Sequence, residues 1–276
     1  MTDQVISVIG CGNMARSLIG GLIAGGRHPD SIWVSDADSN RADDLRQRLA
    51  VNTAPTNSDA AERGDIVILA VKPQVMKTVA EEIRGTVQQR HPLIISVAAG
   101  IREQDLCRWL GGTAAVVRAM PNTPALIQAG ATALYANARV KDAQRNIAET
   151  IMRAVGLVLW LPDEADMDAV TALSGCGPAY YFLIMEAMQN AAEQLGLTPE
   201  TARLLTLQTA FGAAKMALES PEHPAALRAN VTSPGGATEQ ALQILESHDI
   251  RRIFADALQT ATRRSQALAT NFGEQQ

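Results

Sequence analysis

The chain is short of several residue types that particular chemistries require. Aromatic residues make up 4% of 276 positions, too few for an aromatic-lined carbohydrate or base-stacking site. Cysteine occurs three times, at Cys11, Cys107 and Cys176. An odd number without paired spacing forms neither a disulfide framework nor a zinc motif, so no metal is expected. Lysine and histidine occur four times each. No basic run stands out, and the net charge of −5 makes a nucleic-acid partner unexpected. One long uncharged stretch, Ala169 to Met185, is broken by Ser174, Gly175, Gly177 and Pro178. It falls short of the roughly 20 apolar residues that span a bilayer, so it reads as a buried helix and no membrane partner is expected. Met1-Thr2-Asp3-Gln4 lacks the basic start of a signal peptide. Together these features predict a reduced, cytoplasmic protein.

What is present is a 47% hydrophobic chain long enough for one large domain or two smaller ones. Short β-branched runs are expected as strands at 5–9, 32–35, 66–71, 93–97, 115–118, 131–135 and 157–161. Helical segments such as 15–24, 41–49 and 142–154 alternate with them. Near-continuous apolar strands between helices predict a mostly parallel sheet covered on both faces. After Pro162 strand-like runs stop. Helices are expected at 164–195 (broken or kinked near Pro178), 199–218, 238–247 and 250–269, with Pro221 and Pro224 in a loop. Small residues along Thr201–Glu219 permit close helix–helix approach. The predicted fold is therefore an α/β domain over 1–162, of the Rossmann dinucleotide-binding type by the Gly10-Cys11-Gly12 turn after its first strand, then an all-α domain over 163–276.

Two glycine-rich turns carry the chemistry. The strand Val5–Ile9 runs into Gly10-Cys11-Gly12-Asn13-Met14-Ala15 and then a helix. Gly10 permits the tight turn, Gly12 lets a pyrophosphate approach the backbone, and Ala15 lets the helix pack close to the strand. Cys11 reads as a small buried residue. About 20 residues on, Asp36 would bond a ribose 2′-hydroxyl and favour NADH, whereas Arg41 could hold the 2′-phosphate of NADPH. The two pull in opposite directions, and both coenzymes stay open.

The second turn, Asn230 to Thr238, also precedes a helix but follows no strand. Amides around Gly236–Thr238, with the Ser233 and Thr238 hydroxyls, suit a small carboxylate. A plain N-cap at Thr238 is the alternative, although it leaves the Pro-Gly-Gly run unexplained. On composition the two stand level. Ketone reduction calls for a positioned acid. Yet His28, His91 and His223 each precede a proline, and of the lysines (Lys72, Lys77, Lys141, Lys215) only the last lies in the helical half. A protonated C=N group is already an electrophile and needs orientation more than an acid.

At this point the chain resembles the pyrroline-5-carboxylate reductases. The residues carrying the resemblance are Ala70-Val71-Lys72-Pro73-Gln74, Ser96-Val97-Ala98-Ala99-Gly100, Met120-Pro121-Asn122-Thr123-Pro124, Ser174 through Tyr180, and Asn230 through Thr238. The resemblance runs from residue 5 to about residue 268. It implies hydride transfer from NADPH or NADH to C5 of Δ1-pyrroline-5-carboxylate, giving L-proline in the last step of proline biosynthesis. Gly10, Cys11, Gly12, Asn13, Met14, Asn57, Ala70, Val71, Lys72, Pro73, Ala98 and Asn122 would line the coenzyme cleft. Asn57 would lie on the ribose side and Asn122 near the nicotinamide. Ser233, Gly236, Ala237 and Thr238 would hold the substrate carboxylate and ring nitrogen, with Thr238 a proton relay. The resemblance further implies homodimers with interlocked helical domains, often five to a ring. Cys176 stands where serine is also common, and Ser35-Asp36-Ala37-Asp38 is acidic for an NADP-preferring member. The alternatives are a β-hydroxyacid-type dehydrogenase, whose helical lysine is missing from Ala169–Asn190, and a nucleotide sensor without turnover.

Overall fold

In the computed structural model, residues 4–274 are described. Met1-Thr2-Asp3, on which the signal-peptide reading partly rests, and Gln275-Gln276, at the end of the expected helical domain, lie outside that range. The chain divides into two compact units. One runs to Cys176 and takes in the chain again from Thr260, and the other is Gly177–Gln259.

The first unit alternates β1 (Ile6–Ile9), α1 (Asn13–Ala24), β2 (Ile32–Ser35), α2 (Ser39–Leu49), β3 (Asn52–Thr53), α3 (Asn57–Arg63), β4 (Ile66–Leu69), α4 (Pro73–Arg90), β5 (Leu93–Ser96) and α5 (Glu103–Trp109). It continues through β6 (Ala115–Met120), β7 (Gly130–Ala136), α6 (Asp142–Arg153), β8 (Gly156–Trp160) and the short α7 (Asp166–Val170). The eight strands lie in the order β3-β2-β1-β4-β5-β6-β7-β8, parallel except for the β6–β7 pair. Seven strands were expected at nearly these bounds. The two-residue β3 carries no apolar run and was not legible.

Strand alternation divides the core in two. Ile6, Val8, Ile66 and Ile68 face Ala15, Leu18 and Ile19 of α1 and Ile151 of α6. Ile9, Val67 and Leu69 face the other way, onto Ala60 of α3 and Met76, Ala80 and Ile83 of α4. Both faces are covered, so the strands are apolar throughout. The β7–β8 pair imposes a glycine at its start. Gly156 has φ +143°, and a Cβ there would lie 2.0 Å from the Gly130 carbonyl oxygen. Gly156→Ala should destabilise the chain by about 2–4 kcal/mol, since strain and overpacking add. A lowered denaturation midpoint would show this, and an unchanged one would refute it.

The helix expected over 164–195 is interrupted as anticipated, but through a π-helical turn at Thr171–Gly175 closed by the Cys176 amide on the Thr171 carbonyl, 2.8 Å. Pro178 then falls in the first turn of α8 (Gly177–Gln194), where a missing N–H is tolerated. There follow α9 (Pro199–Glu219), α10 (Pro224–Asn230), α11 (Ala237–Ser247) and α12 (Ile250–Glu274). Pro224, expected in a loop, instead opens α10 as its first residue, and the His223 ring caps it from the Ala225 amide. In Gly177–Gln259 only Gly177, Ala202 and Thr206 are buried, among the described residues. Tyr181, Phe182, Leu205 and Phe211 are exposed. No described helix is long and apolar enough to cross a membrane.

Candidate functional site

Strand order reverses direction at β1 and β4, the place where open α/β sheets bind ligands beyond their carboxyl ends. Gly10 leaves β1 there with φ +97°, and its amide donates to the Ser35 carbonyl at 2.8 Å. A Cβ on Gly10 would lie 2.7 Å from the Ala70 carbonyl oxygen, whereas one on Gly12 meets nothing within 4 Å. Gly12 is the N-cap of α1, and no side chain caps the helix. A close-packed turn, open space above the second glycine and a row of uncapped amides fit the pyrophosphate of a dinucleotide. Ala15 is fully buried, as close helix–strand packing requires.

The other predicted cleft residues follow the carboxyl ends of β2 to β6. Asp36 lies just past β2. Its Oδ2 accepts the Cys11 amide at 2.7 Å and its Oδ1 the Asp38 amide at 2.9 Å, so the carboxylate pins the glycine loop. Arg41 pairs with Asp38 at 3.5 Å and is half exposed. Asn57 opens α3. Its Oδ1 accepts from the Ser35 hydroxyl at 2.9 Å and its Nδ2 donates to Glu82 at 2.8 Å. Ala70, Val71, Lys72 and Pro73 join β4 to α4, with Lys72 as N-cap and Pro73 as the first helical residue. Ala98 is buried beyond β5. Asn122 follows β6. Its Nδ2 donates to the Ser174 carbonyl at 3.0 Å and its Oδ1 accepts the Ala131 amide at 2.9 Å. Asn13 and Met14 begin α1. Cys11 is buried, and burial, then the Asp36 charge, pushes its thiol up to about 12. It is therefore a packed residue, not a nucleophile. Nothing in the residue pattern pointed to Ser35 and Glu82 as the partners of Asn57. Their signals, the last residue of a strand and a helical acid, are too common to notice.

The second glycine turn lies in the other unit. Pro234 and Gly235, with φ +72°, are the middle residues of a turn closed by the Gly236 amide on the Ser233 carbonyl at 3.0 Å. That is the type II arrangement, which favours proline first and requires glycine-like φ second. A Cβ on Gly236 would lie 3.0 Å from the Ser233 oxygen. The turn places Gly236, not Thr238, at the N-cap of α11, and no side chain caps the helix. The capping role considered for Thr238 is thus corrected, because the turn starts the helix at Ala237, two residues earlier than a cap at Thr238 would. The first α-type bond runs from the Gln240 amide to the Gly236 carbonyl, 3.3 Å, which leaves the amides of Ala237, Thr238 and Glu239 ahead of it. Ser233, Ala237 and Thr238 are exposed. One contact was not foreseen: Glu239 Oε2 accepts the Gly235 amide at 2.7 Å. The available signal was an acid three residues after the N-cap, the spacing at which such side chains reach back.

A doubly wound sheet with a dinucleotide turn, followed by a helical unit with an anion-receptive helix start, defines a two-unit oxidoreductase of the nicotinamide class. Residues 164–268 match the family model described as pyrroline-5-carboxylate reductase dimerisation, and residues 5–100 that described as NADP oxidoreductase coenzyme F420-dependent. Pyrroline-5-carboxylate reductase of Pseudomonas aeruginosa is 47% identical over 274 residues, spanning 99% of this chain and 100% of that protein. A solved pyrroline-5-carboxylate reductase from Coxiella burnetii superposes with a TM-score of 0.92 at 49% identity, covering 96% of this chain and 98% of that one. The Plasmodium falciparum enzyme, solved with NADP bound, gives 0.87 at 28% identity, covering 98% and 99%. The chain belongs to the pyrroline-5-carboxylate reductase family: it is an oxidoreductase of proline biosynthesis, and pyrroline-5-carboxylate reduction is its activity. The hydroxyacid dehydrogenase and sensor readings are set aside.

Proposed function

We propose that the substrate carboxylate of Δ1-pyrroline-5-carboxylate docks on the start of α11, through Ser233 and the amides of Gly236, Ala237 and Thr238. The observation that carries this is the uncapped helix start presented by the type II turn. Each charge-assisted hydrogen bond there contributes about 1.5–3 kcal/mol. Thr238 stands beside these amides as the catalytic hydroxyl, exposed to water, relaying a proton from solvent to the ring nitrogen as its own is passed on. Among the described residues its hydroxyl has no internal partner, which leaves it available for that role. When bound, the dihydronicotinamide supplies the hydride that adds to C5, and the C=N π pair becomes the lone pair of the L-proline nitrogen. The carboxylate site fixes the ring's orientation, which is the main requirement for an electrophile that is already activated.

The coenzyme, NADPH or NADH, is assigned to the crevice of Gly10 through Met14, with Asn57, Ala70 through Pro73, Ala98 and Asn122 around it. The NADP of the Plasmodium relative supports the first coenzyme; Asp36, with its charge fixed beside the loop, favours the second. Labour is divided near residue 162, between a coenzyme domain over 1–162 and a substrate and dimerisation domain over 163–276. The last strand ending at Trp160 and the dimerisation match beginning at residue 164 support that division. A homodimer would cover the apolar side chains that Gly177–Gln259 leaves exposed, and five dimers in a ring are the larger assembly. Three free cysteines suit the reduced cytoplasm.

The test is oxidation of NADPH and NADH, in parallel, by purified protein supplied with the cyclic imine. Asp36→Ala should move the kcat/KM ratio toward NADPH, and Arg41→Ala toward NADH, each by roughly tenfold for one charge near the 2′ position. Ratios unchanged in both variants would remove these residues from coenzyme selection.

A further inference from the structure

The turn that carries the substrate site would not hold its shape through backbone bonds alone. One hydrogen bond, Gly236 N–H to the Ser233 carbonyl, closes it, and Gly235 at its apex is the residue with the widest choice of conformations. From the far side Glu239 reaches back across the first turn of α11 and takes the Gly235 amide at 2.7 Å. That bond spans the segment whose amides receive the carboxylate. It removes Gly235 N–H from competition and fixes φ at +72°, while the amides of Ala237 and Thr238 are left to the ligand. A carboxylate beside a site for an anion would ordinarily repel it. Here the charge is spent on a backbone donor at a helix start, where an acid is favoured.

We infer that Glu239 is a positioning residue of the substrate site: by holding the Gly235 amide it keeps the Ser233–Thr238 turn in the form that receives a carboxylate. The inference rests on the reading of that turn as the carboxylate site. It needs an acceptor at Glu239, not a charge. Glu239→Gln keeps the carbonyl oxygen and should leave the KM for pyrroline-5-carboxylate at or below that of the parent. Glu239→Ala loses the bond and should raise this KM roughly five- to twentyfold, the scale of one lost hydrogen bond. In both variants the KM for the coenzyme should stay within about twofold, a split that general unfolding would not give.

Competitive inhibition of the full-length enzyme by L-proline and by pyrrolidine, which lacks the carboxylate, separates the two layers of the argument. The expected result is a parent and a Glu239→Gln variant that favour proline strongly, and a Glu239→Ala variant that loses most of that preference. A Glu239→Ala variant favouring proline as strongly as the parent overturns the role of Glu239 and leaves the turn as the carboxylate site. A parent that treats proline and pyrrolidine alike overturns the carboxylate site itself, and the role of Glu239 with it.

Discussion

Thr238→Ala should lower turnover of pyrroline-5-carboxylate by roughly 10- to 100-fold, the scale of a lost proton-relay or polarising hydroxyl, with coenzyme affinity unchanged within about twofold. The structure makes this a sharp test, because Thr238 is the second residue of α11 and does not cap it. A hydroxyl with no structural bond to lose gives alanine no reason to unfold the helix, and alanine has the higher helix propensity. The melting temperature should therefore hold or rise slightly while kcat falls, and Thr238→Ser should recover most of the rate. Unaltered kcat in Thr238→Ala, or equal loss of turnover and coenzyme binding, would take the hydroxyl out of the chemistry.

The second large effect is expected at Gly10. Alanine there would bring a Cβ to 2.7 Å from the Ala70 carbonyl oxygen and 2.9 Å from Val71 Cγ1, in a backbone with φ +97°. Neither strain nor clash can be relieved by a side-chain rotation, since the nearest atoms are backbone. The β1–α1 turn has to move off β4, and the crevice between the two strands goes with it. Affinity for NADPH and NADH should fall together by at least about 100-fold, with a loss of stability of about 2–4 kcal/mol. Gly12→Ala is the matched control. Its Cβ meets no protein atom within 4 Å, so the fold should be untouched, and any loss of coenzyme affinity reports the space a pyrophosphate would occupy. Fluorescence titration with each coenzyme, alongside melting curves, reads both variants. Strong coenzyme binding by Gly12→Ala would show that no ligand approaches that backbone.

Much of this protein was legible without coordinates because its local and global signals agree. Apolar β-branched runs such as Ile66–Leu69 are strands wherever both sheet faces are covered, and Gly10-Cys11-Gly12 between a strand and a helix has few other uses. The motifs spread from Ala70 to Thr238 further identified the family. The sequence did less well where meaning depends on a distant partner. Asp36 was legible as a ribose-reading acid, yet its oxygens hold the amides of Cys11 and Asp38. Asn57 and Asn122 were legible as polar cleft residues, yet both their side-chain ends are tied to other parts of the chain.

By itself, then, the sequence determined the sheet apart from β3 and the order of its helices, because periodicity and glycine placement act over a few neighbouring residues; its motifs carried the resemblance that implied the family and the reaction. Tertiary structure decided which hydrogen-bond donors each polar side chain meets and which residue begins a helix. It is the type II turn at Pro234-Gly235 that makes Gly236 the N-cap, frees Thr238 and sets Glu239 against the Gly235 amide. Those outcomes depend on the direction in which a backbone leaves a turn, and composition does not encode direction.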